Sequence, residues 1–254
     1  MKFFRYIRSL FLLSLPLIGG HIAQILIGVG DTLIVGRYST EALAALVLGT
    51  TIFFIIFILG AGFSFAAMAL VSTANIESDN TKIRRITRMA LWLSLAFGLL
   101  VSPIFVFSER LLLFLGQEFN LAALASDYLI FSGIAIFPAL SASVMRCYLA
   151  GMEYVKVTFY ISIVAVLLNL LVNYLLVFGM FGLPELGIVG AGIATVFVNL
   201  FMFMSFVIYA KIKLPKHNLF VRFWRPDPGV IGLVLKMGSA IGITSLAEAG
   251  LFSA

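Results

Sequence analysis

The chain has 254 residues, of which 62% are hydrophobic and only 11% are charged. Soluble domains carry roughly 25% charged residues, and a soluble domain of this length could not bury so much apolar surface, so the composition excludes a soluble protein and indicates an integral membrane protein. The net charge of +6 is also typical of nucleic-acid-binding proteins, but the basic residues lie in the connections between apolar runs, which argues against that class.

Seven apolar runs approach or exceed the roughly 20 residues that a spanning helix needs. They lie at about residues 10–35, 44–71, 88–107, 122–149, 157–181, 188–210 and 230–254. The first run follows basic residues as a signal peptide does, but it is too long for the apolar core of one, and no small-residue cleavage site precedes the polar turn. We interpret it as a retained first span, and the chain as an all-α membrane protein.

The first run contains a single carboxylate, Asp31, within "QILIGVGDTLIVGR". Ionisable groups inside a membrane are costly and usually face a cavity or a partner. Helical spacing places Gln24, Gly28 and Asp31 on one face, which favours a role inside the protein. The alternative is an acid at the membrane interface that caps the turn before the second span.

Two later runs carry polar side chains at helical spacing. In the fifth run, Asn169 and Asn173 are four residues apart and share a face, where carboxamides either join helices or line a wet cavity. In the sixth run, Thr195 and Asn199 share a face, although a threonine in a membrane helix usually bonds to its own backbone. These patterns leave helix packing and a binding site both open.

The longest connection, residues 211–229, is basic and ends in a Pro/Gly cluster. It predicts a linker along the cytoplasmic face, between a six-helix N-terminal lobe (1–210) and the first helix of an incomplete second lobe (230–254). The segments "SLPLIGGHIAQ" and "GSAIGITSLAE" form a weak repeat, as expected for a transporter built from two halves. We therefore expect a truncated product, cut soon after the second half begins. The last run carries one acid, Glu248.

The basic residues alternate between connections, which predicts the orientation. Arg37 and Arg110 are the basic residues of one set of connections, whereas the opposite set, including the N-terminus, is rich in them: Lys2, Arg5, Arg8, Lys82, Arg84, Arg85, Arg88, Lys156, Lys211, Lys213, Lys216, Arg222 and Arg225. The positive-inside rule then places the N-terminus in the cytoplasm. The basic residues are interpreted as topology signals and contacts to anionic lipids of the bilayer, with no nucleic acid as a partner.

The remaining chemistry-bearing residues give little signal. Cys147 is the single cysteine and is interpreted as a packing residue. His21 and His217 are too few and too far apart for a metal-site signature.

Taken together, four segments resemble the multidrug and toxic compound extrusion (MATE) family in its NorM-like branch. They are "LPLIGGHIAQILIGVGDTLIVGR", "FPALSASVMRCYLAG", "LNLLVNYLLVFGMFGLPELGIVGAGIAT" and "SLAEAGLF". The third is the most specific. The resemblance extends over the whole chain, which corresponds to the first seven of the family's twelve spans.

The resemblance implies roles for individual residues. Asp31 matches the family's acid in span 1, Asn169 an asparagine of the same polar cluster, and Thr195 a threonine that lines it. Asn173 stands where some branches have a second acid. Glu248 matches an acid of the second lobe's cation site and is a possible sodium ligand. Gln24 and Asn199 complete the expected polar cluster and substrate pathway.

The implied function is an antiporter without a cofactor, not an enzyme. It would use a proton or sodium gradient to export cationic amphiphilic drugs across a bacterial inner membrane, together with the missing C-terminal half. Competition of proton, ion and drug for one carboxylate would provide the coupling.

Four alternatives remain at this stage. A lipid-linked oligosaccharide flippase has the same architecture, but it usually needs a cationic cavity, and these runs hold almost no basic residues. A seven-helix receptor or photoreceptor is the second alternative, but a retinal protein needs a lysine midway along its last span, whereas Lys236 lies near the cytoplasmic end. A membrane-embedded enzyme has no catalytic constellation to support it. A non-functional fragment is the fourth alternative.

Overall fold

The computed structural model describes residues 2–182 and 184–253, with side chains described from residue 18 to residue 251 except residues 21 and 183. The described residues form helices and no strand. The α-helices are α1 (Lys2–Tyr38), α2 (Thr40–Ile76), α3 (Asn80–Val106), α4 (Ser108–Phe114), α5 (Phe119–Gly151), α6 (Val155–Phe178), α7 (Gly187–Lys213) and α8 (Pro228–Ser253). The side chains of Lys2, Arg5, Arg8 and His21 lie outside this description.

Within the described residues, seven helices are long and apolar enough to cross a membrane, all but α4. They match the seven predicted runs, so the all-α membrane class is confirmed. Most of the helices are longer than the runs: α1 and α2 have 37 residues each, or roughly 55 Å at 1.5 Å per residue. A hydrocarbon core is about 30 Å thick, so these helices extend well beyond it.

Helix α4, with seven residues, was not predicted. It follows α3 almost directly, because the chain turns at Phe107, whose N–H still bonds to the carbonyl oxygen of Pro103. The sequence "SERLLLF" is too short to show a helical period, and α4 is held by packing against α5. It forms part of the connection between α3 and α5 and is not a span.

Helix α5 is the centre of the bundle. In its most apolar window 72% of the residues are buried, against 17% in α8, and it packs against α2, α3, α4 and α7. Close approach depends on glycines: a Cβ on Gly133 would lie 2.6 Å from the Cβ of Phe105. Helices α1 and α6 pack against each other beside this core.

A glycine in α1 sets the approach of α1 to α6. A Cβ on Gly30 would lie 2.7 Å from Cδ2 of Leu170 and 3.3 Å from Oδ1 of Asn169. A larger residue would first have to displace the end of the Leu170 side chain. The two helices therefore pack closely at Gly30, next to Asp31.

The predicted linker is folded against α3. Helix α7 continues to Lys213, a 3-10 turn spans Pro215–His217, and turns lead to α8. Three side chains on one face of α3 hold this segment. Arg85 pairs with Asp227, the Nη1 of Arg88 donates to the carbonyl of Arg222 at 2.7 Å, and the Nε1 of Trp92 donates to the carbonyl of Phe223 at 2.9 Å.

Helix α8 packs against α2 and α3. At the crossing with α2, glycines stand on both sides: a Cβ on Gly62 would collide with the carbonyl oxygen of Gly238 and lie 2.7 Å from the nitrogen of Gly242. The two backbones are therefore in direct contact. The assignment of α8 to a second lobe stays a prediction.

A buried histidine joins the linker to α5, and it predicts a pH dependence of stability. The Tyr148 hydroxyl lies 2.5 Å from Nδ1 of His217, and burial lowers the pKa of His217 below its ordinary value of 6.5. The unfolded chain then binds the proton more readily, so the contribution of neutral His217 is complete above pH 6.5 and is lost as the pH falls through the lower folded value. In purified chain, the thermal midpoint should fall below pH 6.5 more steeply in wild type than in His217→Asn, whose amide oxygen still accepts from Tyr148. Equal pH slopes would contradict this role.

Candidate functional site

Asp31 lies inside α1, seven residues before the helix ends at Tyr38. Its side chain is buried, with 5% of the residue exposed. The turn before α2 is capped instead by Ser39, whose hydroxyl oxygen accepts from the N–H of Ala42. The alternative of a turn-capping acid is therefore excluded by position.

The two asparagines of α6 reach Asp31 from the adjacent helix. The Nδ2 of Asn169 donates to Oδ1 of Asp31 at 2.9 Å, and the Nδ2 of Asn173 donates to the same oxygen at 2.7 Å. Both asparagines are fully buried. The asparagine face of α6 thus points at Asp31 as predicted, because helical spacing of four residues turns both amides toward α1.

Neither of these two hydrogen bonds uses the amide oxygen of an asparagine. Within the described residues, Oδ1 of Asn169 and Oδ1 of Asn173 are buried and have no hydrogen-bond partner. Buried polar atoms without a partner are costly and call for an explanation such as a water or an ion. The cluster therefore combines a carboxylate with two free amide oxygens, the ligand type that hard cations prefer.

Both NH₂ groups donate to the carboxylate. A carboxamide presents an acceptor in place of a donor when it rotates by half a turn. If a proton or a cation bound at Asp31, rotated amides would present their oxygens to it.

Tyr128 of α5 was missed by the sequence reasoning. It is buried at 2% exposure, its hydroxyl faces Ser132 and Thr195, and it lies within electrostatic range of Asp31. A tyrosine in an apolar helix is just as typical of plain packing, so the sequence held no signal to single it out. It extends the cluster from α1 and α6 to α5 and α7.

Thr195 borders the cluster through Tyr128, but its own hydroxyl donates to the carbonyl of Ala191 at 2.9 Å. Asn199 is turned toward its own helix, since its Nδ2 donates to the carbonyl of Thr195 at 2.8 Å. Thr195 therefore shapes the wall of the site, and no contact of the described residues links Asn199 to Asp31.

Gln24, Gly28 and Asp31 were predicted to share a face of α1, but they do not come together in one polar cluster. The Oε1 of Gln24 accepts from Nη1 of Arg146 in α5 at 2.5 Å, which holds Gln24 away from the cluster. Gly28 is exposed and a Cβ there would meet nothing within 4 Å. A straight helix turns about 100° per residue, so seven residues make about two full turns. Gln24 and Asp31 therefore lie on the same side of α1 but two turns apart along its axis.

Glu248 lies on α8 and is exposed in this chain. Among the described residues, no group of three or more His, Cys, Asp or Glu side chains could hold a metal ion.

The sequence of this chain is similar to the sequences of known proteins. The MatE family profile matches residues 16–175. The chain is 41% identical over 255 residues to a protein of Agrobacterium fabrum described as "Probable multidrug resistance protein NorM", covering 100% of this chain and 55% of that protein. A Rhizobium meliloti protein of the same description is 41% identical and is matched over 98% of this chain and 54% of its own length.

Solved structures share the fold at low identity. A MATE transporter in the bent conformation superposes with a TM-score of 0.82 at 19% identity, over 94% of this chain and 53% of that one. The eukaryotic MATE transporter AtDTX14 gives 0.83 at 16% identity, over 95% and 53%. The chain spans about half the length of the relatives that it matches.

Proposed function

Because this chain belongs to the MatE family, whose members are transporters and not enzymes, we propose that it provides the N-terminal lobe and the first helix of the second lobe of a multidrug exporter. The complete protein would exchange a proton or a sodium ion for a cationic amphiphilic compound. The relatives described as multidrug resistance proteins support the export of drug-like compounds. Its partners are then the bilayer, the substrate and the C-terminal half.

The observation that carries the ion-coupled part is the buried carboxylate with two amides on one oxygen. Asp31 has no cationic partner among the described ion pairs, although an unneutralised carboxylate is expensive to keep inside a membrane. A carboxylate of this kind is typical of a functional site. An exchangeable cation would neutralise it during part of the transport cycle. Drug and ion would compete for this one charge.

The coupling ion is tested with the complete protein in proteoliposomes. A cationic dye is loaded, and either a proton gradient or a sodium gradient is imposed. Efflux driven by one of them identifies the ion, and equal efflux with no gradient at all would refute ion coupling. Glu248→Gln should slow efflux through the second lobe, and an unchanged rate with both gradients would remove Glu248 from the coupling machinery.

We propose that the protein lies in a bacterial inner membrane with its N-terminus in the cytoplasm. The connection between α6 and α7 then faces outward, and its exposed Glu185 offers a labelling position. In a Cys147→Ala background, Glu185→Cys should react with an impermeant maleimide added to intact cells. Lys216→Cys, exposed in the linker, should react only after permeabilisation. The reverse pattern would refute this orientation.

A further inference from the structure

A cavity separate from the Asp31 cluster lies where α7 meets the linker. It has a volume of about 390 Å³, within the range of small-molecule sites. The end of α7 forms one side and the first linker turn the other. It is lined by Ala210, Lys211, Leu214, Pro215, Asn218, Leu219, Phe220 and Val221.

The lining combines one cation with an apolar wall. The Nζ of Lys211 stands 5.3 Å from the centre of the Phe220 ring, a cation–π distance that holds the ammonium group over the cavity edge. Leu219 is buried, with 8% exposed, and forms the apolar floor. Asn218 adds an exposed carboxamide, and it is placed there by a left-handed backbone with φ of 45°.

The surroundings are strongly basic. Lys213, Lys216, Arg222 and Arg225 are all exposed in this segment. Its one carboxylate, Asp227, is paired with Arg85, and that neighbour holds its pKa below the usual range although burial acts in the opposite direction. The segment therefore offers positive charge that no described acid neutralises.

The cavity lies at one end of a candidate membrane span. Helix α7 is long and apolar enough to cross a membrane and ends at Lys213, so Lys211 stands at the end of this helix. Ile212 is 68% exposed and Trp224 76% exposed. Tryptophan is enriched in the layer of lipid headgroups.

We propose that this cavity binds the headgroup of an anionic phospholipid. The phosphodiester would accept from the Lys211 ammonium and from the Asn218 carboxamide, while the glycerol and the first acyl carbons would lie along Leu214, Leu219 and Phe220. Charge complementarity selects an anionic lipid over a zwitterionic one. Because the linker forms one wall, the bound lipid would fasten the linker to the end of α7.

The test is native mass spectrometry of the intact chain in detergent, with phosphatidylglycerol and phosphatidylcholine supplied in equal amounts. Wild type should retain phosphatidylglycerol preferentially. Lys211→Gln should reduce that preference by about fivefold, the effect expected of one basic residue near an anionic surface. The matched control is Lys156→Gln, which removes an exposed lysine at the start of α6, outside the cavity. It should lower the preference by much less than fivefold.

Two more variants separate the site from a general surface effect. Lys211→Arg keeps the charge and should keep the preference, which also shows that position 211 tolerates substitution. Asn218→Gly keeps the left-handed backbone without strain and should weaken the preference through the lost carboxamide.

Three results would overturn the proposal. One is the absence of any lipid preference in wild type, and another is an equal loss in Lys211→Gln and Lys156→Gln. The third is full displacement of the lipid by glycerol phosphate at equal concentration, which would show that the cavity recognises phosphate alone and not a lipid.

Discussion

Asp31→Asn is expected to reduce gradient-driven efflux of a cationic dye by about 10-fold to 100-fold in the complete protein, the span of typical coupling energies between two ligands. The two side chains are nearly isosteric, and the amide oxygen of the substituted side chain could still accept from Asn169 and Asn173. The packing of α1 on α6 is therefore kept while the titratable charge is removed. In the proposed mechanism, ion and drug would then have no charged group to compete for.

The measurement is dye efflux from energised vesicles at matched protein levels. The matched control is Asp127→Asn, because Asp127 is an acid of α5 that is exposed and lies next to Tyr128 in the chain. It should transport at the wild-type rate. A wild-type rate in Asp31→Asn would end the coupling role and would leave the cluster as a structural contact between α1 and α6.

Gly62→Ala is expected to lower the thermal midpoint of the purified protein and to separate α2 from α8. The added Cβ would collide with the carbonyl oxygen of Gly238, and it would lie 2.7 Å from the nitrogen of Gly242. Both obstacles are backbone atoms, so no side chain can move aside to relieve them. Overpacking of this kind costs about 1–3 kcal/mol. The crossing is equally tight from the other side, because a Cβ added at Gly242 would lie 2.6 Å from the carbonyl oxygen of Leu59.

The control for this variant is Gly232→Ala in α8. Nothing lies within 4 Å of a Cβ at Gly232, and alanine is the better helix former by about 1 kcal/mol, so its midpoint should be unchanged or raised. Thermal unfolding in detergent, followed by fluorescence, compares the two variants. An equal midpoint in both would show that α2 and α8 do not touch in the protein.

The contacts of Asp31 explain why export and stability can be separated in these experiments. Its partners lie on α6 and its neighbour Tyr128 on α5, whereas the glycine crossing joins α2 to α8. Mutations distant from each other and without shared partners usually act additively. Loss of efflux with normal stability, or the reverse, therefore assigns each contact to its own role.

The amino-acid sequence by itself determined the class of the protein and its spans. Apolar runs of spanning length must become helices in a bilayer, because each backbone N–H and C=O needs a partner within its own segment. The same local rule placed Asn169 and Asn173 on one helix face. Local spacing could not predict α4, because this helix is too short to show a helical period.

Only the tertiary structure decided which polar residues meet. Gln24 and Asn199 satisfied the same spacing rule as Asn169, but Gln24 bonds to Arg146 and Asn199 to its own helix. No pattern in the sequence indicated that Tyr128 would lie near this cluster. Periodicity states which face of a helix a residue occupies, whereas the neighbour opposite that face depends on how helices far apart in the chain pack. At this site α1 packs on α6 closely enough at Gly30 for the carboxylate of the next residue, Asp31, to reach both asparagines.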